Sequence, residues 1–231
     1  MTPSRILTWT VTPAGLLAVA TLVACKPATP RSEPLEPTAA AKVTPSPLSV
    51  PAIVCLGTSL TAGLGLDPDL AYPSRIQEKV DAAGLRYRVV NAGVSGETSA
   101  GALRRVDWIL REPVAVLIVE TGANDALRGQ DPQATKANIQ ALFDRARQQS
   151  PRPKLVLVGM LAPPNYGADY GRRFQALYPE LAKQNEAALI PFLLEGVAGR
   201  AVLNQGDGIH PTAEGQQIMA ENVWKVLRPL L

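Results

Sequence analysis

Two kinds of apolar patterning alternate along the chain from residue 51 onward. Short runs dense in β-branched residues, AIVCLG (52–57), YRVVNAG (87–93), VAVLIVETG (114–122) and KLVLVGM (154–160), are separated by stretches with apolar residues at helical spacing over 71–83, 98–110, 132–149 and 174–185. A strand that is apolar throughout, rather than at alternate positions, is buried on both faces. Strands of that kind alternating with amphipathic helices predict an α/β fold, a three-layer α/β/α sandwich around a central parallel sheet. Asp131-Pro132 supplies a helix cap and a first-turn proline, and Thr212 caps a last helix that reaches about residue 226. Internal repeats are absent.

The first 50 residues follow neither pattern. Arg5 is the only charge ahead of 11–24, a stretch mostly of Ala, Leu, Val and Gly that is too short to span a bilayer comfortably and has the layout of an export signal. It ends in Leu22-Val23-Ala24-Cys25, which resembles the lipobox of bacterial lipoproteins, where cleavage precedes the cysteine and its thiol receives a diacylglycerol. The expected organisation is a signal peptide over 1–24, a lipidated Cys25 with a Pro/Thr/Ala-rich linker over 25–50, and a folded domain over 51–231. Several acyl chains make a stable anchor, at roughly 0.8 kcal/mol per buried methylene. The linker cannot bury enough apolar surface to fold and reads as an extended spacer. Lys26 after the cysteine resembles an outer-membrane-directed lipoprotein facing the periplasm.

Composition narrows the partners. The chain of 231 residues is about 46% apolar and 19% charged, with a formal net charge of only +3. Its Lys and Arg residues are scattered, which argues against nucleic acid and gives no anionic-lipid patch. With Cys25 assigned to lipid, Cys55 has no disulfide partner and reads as a buried strand thiol. One His and no Cys pair cannot make a usual transition-metal site, so neither metal nor cofactor is expected.

His210, in GDGIHPT (206–212), is the only histidine. A serine hydroxyl is a poor nucleophile at neutral pH and needs a base within reach and an acid to hold that base in the right tautomer. The base can only be His210, and Asp207 could fold back onto its Nδ1. Ser59, after the first strand, is the candidate nucleophile. Each has an ordinary alternative: a helix cap for Ser59, a turn for Gly206-Asp207-Gly208, a solvated loop residue for His210. Their shared position favours chemistry, because in an open α/β sheet the loops after the strands meet on one rim. Donors for an oxyanion are available there in the backbone N–H groups of Ser59 and Gly96 and the side-chain amide of Asn124. The sequence around Ser59, GTSLT, is not the Gly-x-Ser-x-Gly elbow of α/β-hydrolases.

Four separated blocks, GTSLTAGLGL, NAGVSGETSAG, GANDALRG and DGIHPT, resemble in content and order those of the SGNH (GDSL-type) hydrolase superfamily. The branch most similar is the bacterial multifunctional acyl-CoA thioesterase I, lysophospholipase or arylesterase. The resemblance runs from about residue 53 to the C-terminus and includes PPNYGADYGRRFQALYPELA. It implies a flavodoxin-like sandwich and a serine esterase working through a Ser59 acyl-enzyme. Asp207 and His210 would complete the triad, and Ser59, Gly96 and Asn124 the oxyanion hole. It further implies an acyl pocket lined by residues 161–164, with Leu161 and Pro163, and by Ala126 and Leu127. Thr58 departs from the family, which usually has Asp before the nucleophile, so hydrogen bonding around that loop is expected to differ. The expected substrates are small acyl esters or lysophospholipids, and the expected state is a monomer. A carbohydrate O-deacetylase and an idle scaffold lipoprotein are the rival readings.

Overall fold

The computed structural model describes residues 50–231. The expected signal peptide, Cys25 and nearly all of the linker lie outside the described residues. Five parallel strands form one sheet: β1 (Ala52–Gly57), β2 (Arg88–Gly93), β3 (Val114–Glu120), β4 (Lys154–Val158) and β5 (Ala188–Ile190). Their spatial order is β2-β1-β3-β4-β5. The three inner strands are the most apolar runs: β1 is buried at every position, and β3 and β4 at nearly every one. The edge strand β2 is only partly covered.

The helices are α1 (Ser59–Ala62), α2 (Tyr72–Ala82), α3 (Ser99–Ile109), α4 (Ala123–Leu127), α5 (Pro132–Ala146), α6 (Gly167–Gln184) and α7 (Ala213–Leu227). Helix α2 packs against α7, while α3, α5 and α6 pack side by side. Two helical layers therefore enclose the sheet, as the alternating pattern predicts. Asp131 caps α5 by accepting from the Gln133 N–H, and Thr212 caps α7 by accepting from Gly215.

Two elements differ from expectation. Strand β5 has only three residues, too few for its pattern to stand out. Helix α6 starts at Gly167 rather than at 174, because two glycines mask its first turns. Tyr166, Tyr170, Phe174 and Tyr178 continue at four-residue spacing and contact one another ring to ring, with centroids 5.2, 6.3 and 5.5 Å apart. Pro179 lies inside this helix on its exposed side.

Strand order reverses between β1 and β3. In open α/β sheets the crevice beyond the carboxyl ends of such a pair is where ligands bind. The segments after β1, β2 and β3 converge there.

Candidate active site

Ser59 is the first residue of α1 and directly follows the β1 exit. It is not a cap: Thr58 holds that position, without a side-chain capping bond. The Ser59 hydroxyl lies 3.0 Å from His210 Nε2. The other ring nitrogen, Nδ1, is 2.6 Å from Asp207 Oδ2. With the proton on Nδ1 donated to Asp207, Nε2 is left as an acceptor for the serine O–H.

Asp207 folds back as its position three residues earlier allows. Its Oδ1 accepts the backbone N–H groups of Ile209 and His210, at 2.9 and 3.0 Å. The imidazole bond first, then these two N–H groups, hold its carboxyl well below the usual carboxylate range, so it is an anion at every pH near neutrality.

Gln205, which the sequence did not single out, carries the loop to its place. Its backbone N–H donates to the His210 carbonyl at 2.7 Å, and its side-chain amide donates to the carbonyls of Pro211 and Leu64. Gln216 on α7 ties the same region to the nucleophile side: it accepts from the Tyr72 N–H and donates to the Leu60 carbonyl. Both side chains are polar residues in an otherwise ordinary stretch, and only their partners mark them.

On the other side of Ser59, Gly96 adopts a positive φ of 76° in the loop after β2, a conformation that glycine takes freely. Its carbonyl accepts from Arg128 at 3.0 Å. The loop is clamped by Arg105, whose guanidinium pairs with Glu97 at 2.6 Å and donates to the Ala92 carbonyl at 2.7 Å. Asn124, on α4, uses its side-chain amide to hold the Glu97 carbonyl at 3.0 Å, which leaves its second N–H free to point elsewhere. Its neighbour Asp125 is fully buried and anchors α4 to α3, taking the Ser99 N–H at 2.8 Å and the Ser99 hydroxyl at 2.5 Å. The tyrosine ladder formed by Tyr166, just ahead of α6, and by α6 itself completes the support. The hydroxyls of Tyr178, Tyr166 and Tyr170 donate to the carbonyls of Thr121, Leu127 and Gln130, all in the segment that carries Asn124.

Ser59, Gly96, Asn124 and His210 line one cleft of about 690 Å³. Leu127, Leu161 and Pro163 also line it. Ala126 does not: it is fully buried, because α4 turns it into the core. The far wall was missed. It comes from Phe192, Leu194 and Ala198 after β5, and from Ile209 beside the histidine. The apolar stretch PFLLEGVAG (191–199) was the available signal, but its strand is too short to announce the loop. Cys55 is buried and unpaired, and burial pushes its thiol up to about 12. Among the described residues no cluster of three His, Cys, Asp or Glu side chains is placed to hold a metal.

Glu120, the last residue of β3, is the largest omission. It is fully buried and accepts from the Thr58 N–H at 2.7 Å, the Thr58 hydroxyl at 3.0 Å and the Thr61 hydroxyl at 2.9 Å. The departure at Thr58 thus has a definite consequence, which is to hydrogen-bond this carboxyl from directly before Ser59.

Residues 55–218 match the GDSL-like Lipase/Acylhydrolase family. The chain belongs to that family. Esterase TesA of Pseudomonas aeruginosa is 41% identical to this GDSL hydrolase over 180 residues, covering 78% of this chain and 89% of TesA. The thioesterase 1/protease 1/lysophospholipase L1 of Escherichia coli K12 is 36% identical over 181 residues, 78% of this chain and 84% of that protein. Among solved structures, the psychrotrophic esterase EstA from Pseudoalteromonas sp., in a form inhibited by monoethylphosphonate, superposes with a TM-score of 0.72 at 32% identity. That match covers 77% of this chain and 97% of EstA. The protein is a hydrolase of ester bonds built on the SGNH α/β fold.

Proposed function

We propose that this GDSL-family hydrolase cleaves acyl esters through an acyl-enzyme on Ser59, with His210 as the proton carrier and Asp207 as its orienting anion. The observation that carries the reading is the unbroken relay from Ser59 Oγ to His210 at 3.0 Å and on to Asp207 at 2.6 Å, opening onto the apolar cleft. In the first step Ser59 Oγ attacks the ester carbonyl while its proton passes to His210 Nε2. The tetrahedral oxyanion is received by the N–H groups of Ser59 and Gly96 and the free N–H of Asn124. Collapse breaks the bond to the leaving oxygen, which takes the proton from Nε2 and departs as an alcohol. Water then repeats the cycle on the acyl-serine, giving up a proton to His210, and the carboxylic acid leaves with Ser59 restored.

The same chemistry serves a thioester, with a thiol leaving. The relatives' names span esterase, thioesterase and lysophospholipase, and the cleft suits the acyl chains these share. Apolar walls from Leu127, Leu161, Phe192 and Leu194 favour medium or longer chains over acetyl, so lysophospholipids and fatty acyl or aryl esters fit better than acetylated carbohydrate. We place the enzyme on the periplasmic face of the outer membrane, exported and held there by lipid on Cys25. Leu22-Val23-Ala24-Cys25 and Lys26 support that placement. No helix among the described residues is long and apolar enough to cross a membrane.

The test is hydrolysis of a nitrophenyl ester chain-length series by the full chain and by Ser59→Ala. Turnover by the wild type that peaks beyond acetyl and vanishes in the variant is expected. Equal turnover by Ser59→Ala refutes the reading. Metabolic labelling with palmitate, present in the wild type and lost in Cys25→Ala, tests the anchor separately.

A further inference from the structure

Glu120 is buried below the nucleophile and takes no part in the relay just described. Its side chain reaches that place because Gly57, at the end of β1, has no Cβ. A Cβ there would stand 2.6 Å from Glu120 Oε2 and 1.9 Å from Thr61 Oγ1. Every hydrogen bond the carboxyl makes is to the nucleophile segment, Thr58 and Thr61.

Among the described residues, the groups facing it carry no compensating cation. From β1 comes the Cys55 thiol, and from α2 the Tyr72 hydroxyl, linked through Thr61 at 2.9 Å. Tyr178 approaches from α6 and Asp125 lies on α4, its carboxylate engaged by Ser99. Arg105 of α3 reaches only as far as the Gly57 carbonyl, at 3.4 Å, and its charge is spent on Glu97. A carboxylate buried with no cation is costly, and burial pushes Glu120 up to about 7.

Thr58 is what lets the carboxyl exist in both forms. Oε2 accepts from the Thr58 N–H and the Thr61 hydroxyl, while Thr58 Oγ1 lies 3.0 Å from both carboxyl oxygens and, among the described residues, is the one partner of Oε1. A hydroxyl both donates and accepts. When Glu120 carries a proton on Oε1 it donates to Thr58 Oγ1; when it is ionised, Thr58 donates instead. Neither state loses the bond, so the position of Thr58 and Ser59 is kept while the charge beneath them changes.

Resting on the acyl-enzyme reading above, we propose that Glu120 is a positioning residue whose neutral form supports catalysis, and whose ionisation slows it by placing a negative charge behind the oxyanion site. The peptide after the one bonded to Glu120 contributes the Ser59 N–H to that site. An anion hydrogen-bonded to the preceding N–H, in a water-poor environment, opposes the negative charge that develops on the substrate oxygen. It acts on the transition state and not on the bound ester, so it lowers kcat and leaves KM alone.

The experiment measures kcat and KM of the full chain from about pH 5 to 9 with a neutral ester, followed by acid release. Wild type, Glu120→Gln and Ser59→Ala are compared. Glutamine reproduces the neutral carboxyl, accepting from Thr58 N–H and donating to Thr58 Oγ1, but cannot ionise. The comparison is the ratio of wild-type kcat to Glu120→Gln kcat at each pH, which divides out any pH effect common to both enzymes; it is expected to fall about fivefold or more from pH 6 to pH 9 with KM unchanged. A ratio that stays constant across that range in folded protein overturns the proposal. Infrared difference spectra of the wild type alone supply a second readout, independent of how the variant folds. A buried protonated-carboxyl band should be present at pH 6 and gone at pH 9, and its absence at pH 6 or persistence at pH 9 also overturns it. Turnover by Ser59→Ala would sink the acyl-enzyme reading whatever Glu120 does. An inactive Ser59→Ala beside a wild-type to Glu120→Gln ratio that does not change with pH sinks this inference alone.

Discussion

His210 Nε2 stands 3.0 Å from Ser59 Oγ across a separation of 151 residues, with Gln205 and Gln216 bridging the segments that carry them. Replacing His210 by Gln removes the proposed base of the relay, and kcat is expected to fall by about 10⁴-fold or more with little change in KM. Asp207→Asn keeps the shape of the loop but inverts the hydrogen bond to Nδ1, so a loss of about 10³ to 10⁴-fold is expected. Single-turnover kinetics with a nitrophenyl ester measure both. An Asp207→Asn enzyme within tenfold of wild type would falsify the orienting role.

Asn124 offers one amide N–H to Glu97 and keeps the other. Asn124→Ala should cost about 10²-fold to 10³-fold in kcat, the usual effect of deleting one oxyanion donor. Steady-state kinetics decide it: an effect confined to KM would mean that the amide serves substrate binding instead.

Stability should depend on pH through Glu120. Its carboxyl is raised from 4.5 to about 7, chiefly by burial. Between those values the unfolded chain has lost the proton that the native state still holds, so native stability is fullest below 4.5 and falls as pH rises to about 7. The loss is on the order of 3 kcal/mol, at 1.36 kcal/mol for each pH unit of that window. Glu120→Gln lacks this dependence. Urea unfolding at about pH 5 and pH 8 should show the variant gaining on the wild type at the higher pH, and parallel curves for the two proteins would contradict the assignment.

In the proposed reading the cleft beside Ser59 sets chain length. Ala162 lies on its wall between Leu161 and Pro163, and Ala162→Trp fills that space. A buried methylene contributes about 0.8 kcal/mol, so the ratio of kcat/KM for octanoyl over acetyl esters should drop by at least about tenfold while acetyl turnover changes little. An unaltered ratio places the acyl chain elsewhere.

How far these features could be read from the chain varied with how local their causes are. The three inner strands, the capped starts of α5 and α7 and the buried Cys55 follow from runs of neighbouring residues, and the structure has them where the pattern predicts. Ser59, Gly96, Asn124, Asp207 and His210 were legible as candidates because each follows a strand or lies in a turn, where α/β sheets gather polar groups. Ala126 was misplaced in the pocket because a loop's apolar residues do not reveal which of them turn inward. Phe192, Leu194 and Ala198 escaped notice because β5 is only three residues long.

Sequence by itself determined the layered α/β fold, its hydrolytic family blocks and the single histidine available as a base, because hydrophobic period and residue chemistry are properties of short stretches. Tertiary structure alone decided that Glu120 lies under Thr58, that Arg105 clamps the Gly96 loop, and that Tyr170 and Tyr178 of α6, with Tyr166 just ahead of it, hold the Asn124 segment. Glu120 reads in the chain as the polar end of an apolar strand. Its meaning arises from burial against a neighbouring strand's exit, where among the described residues no cationic side chain hydrogen-bonds its carboxyl.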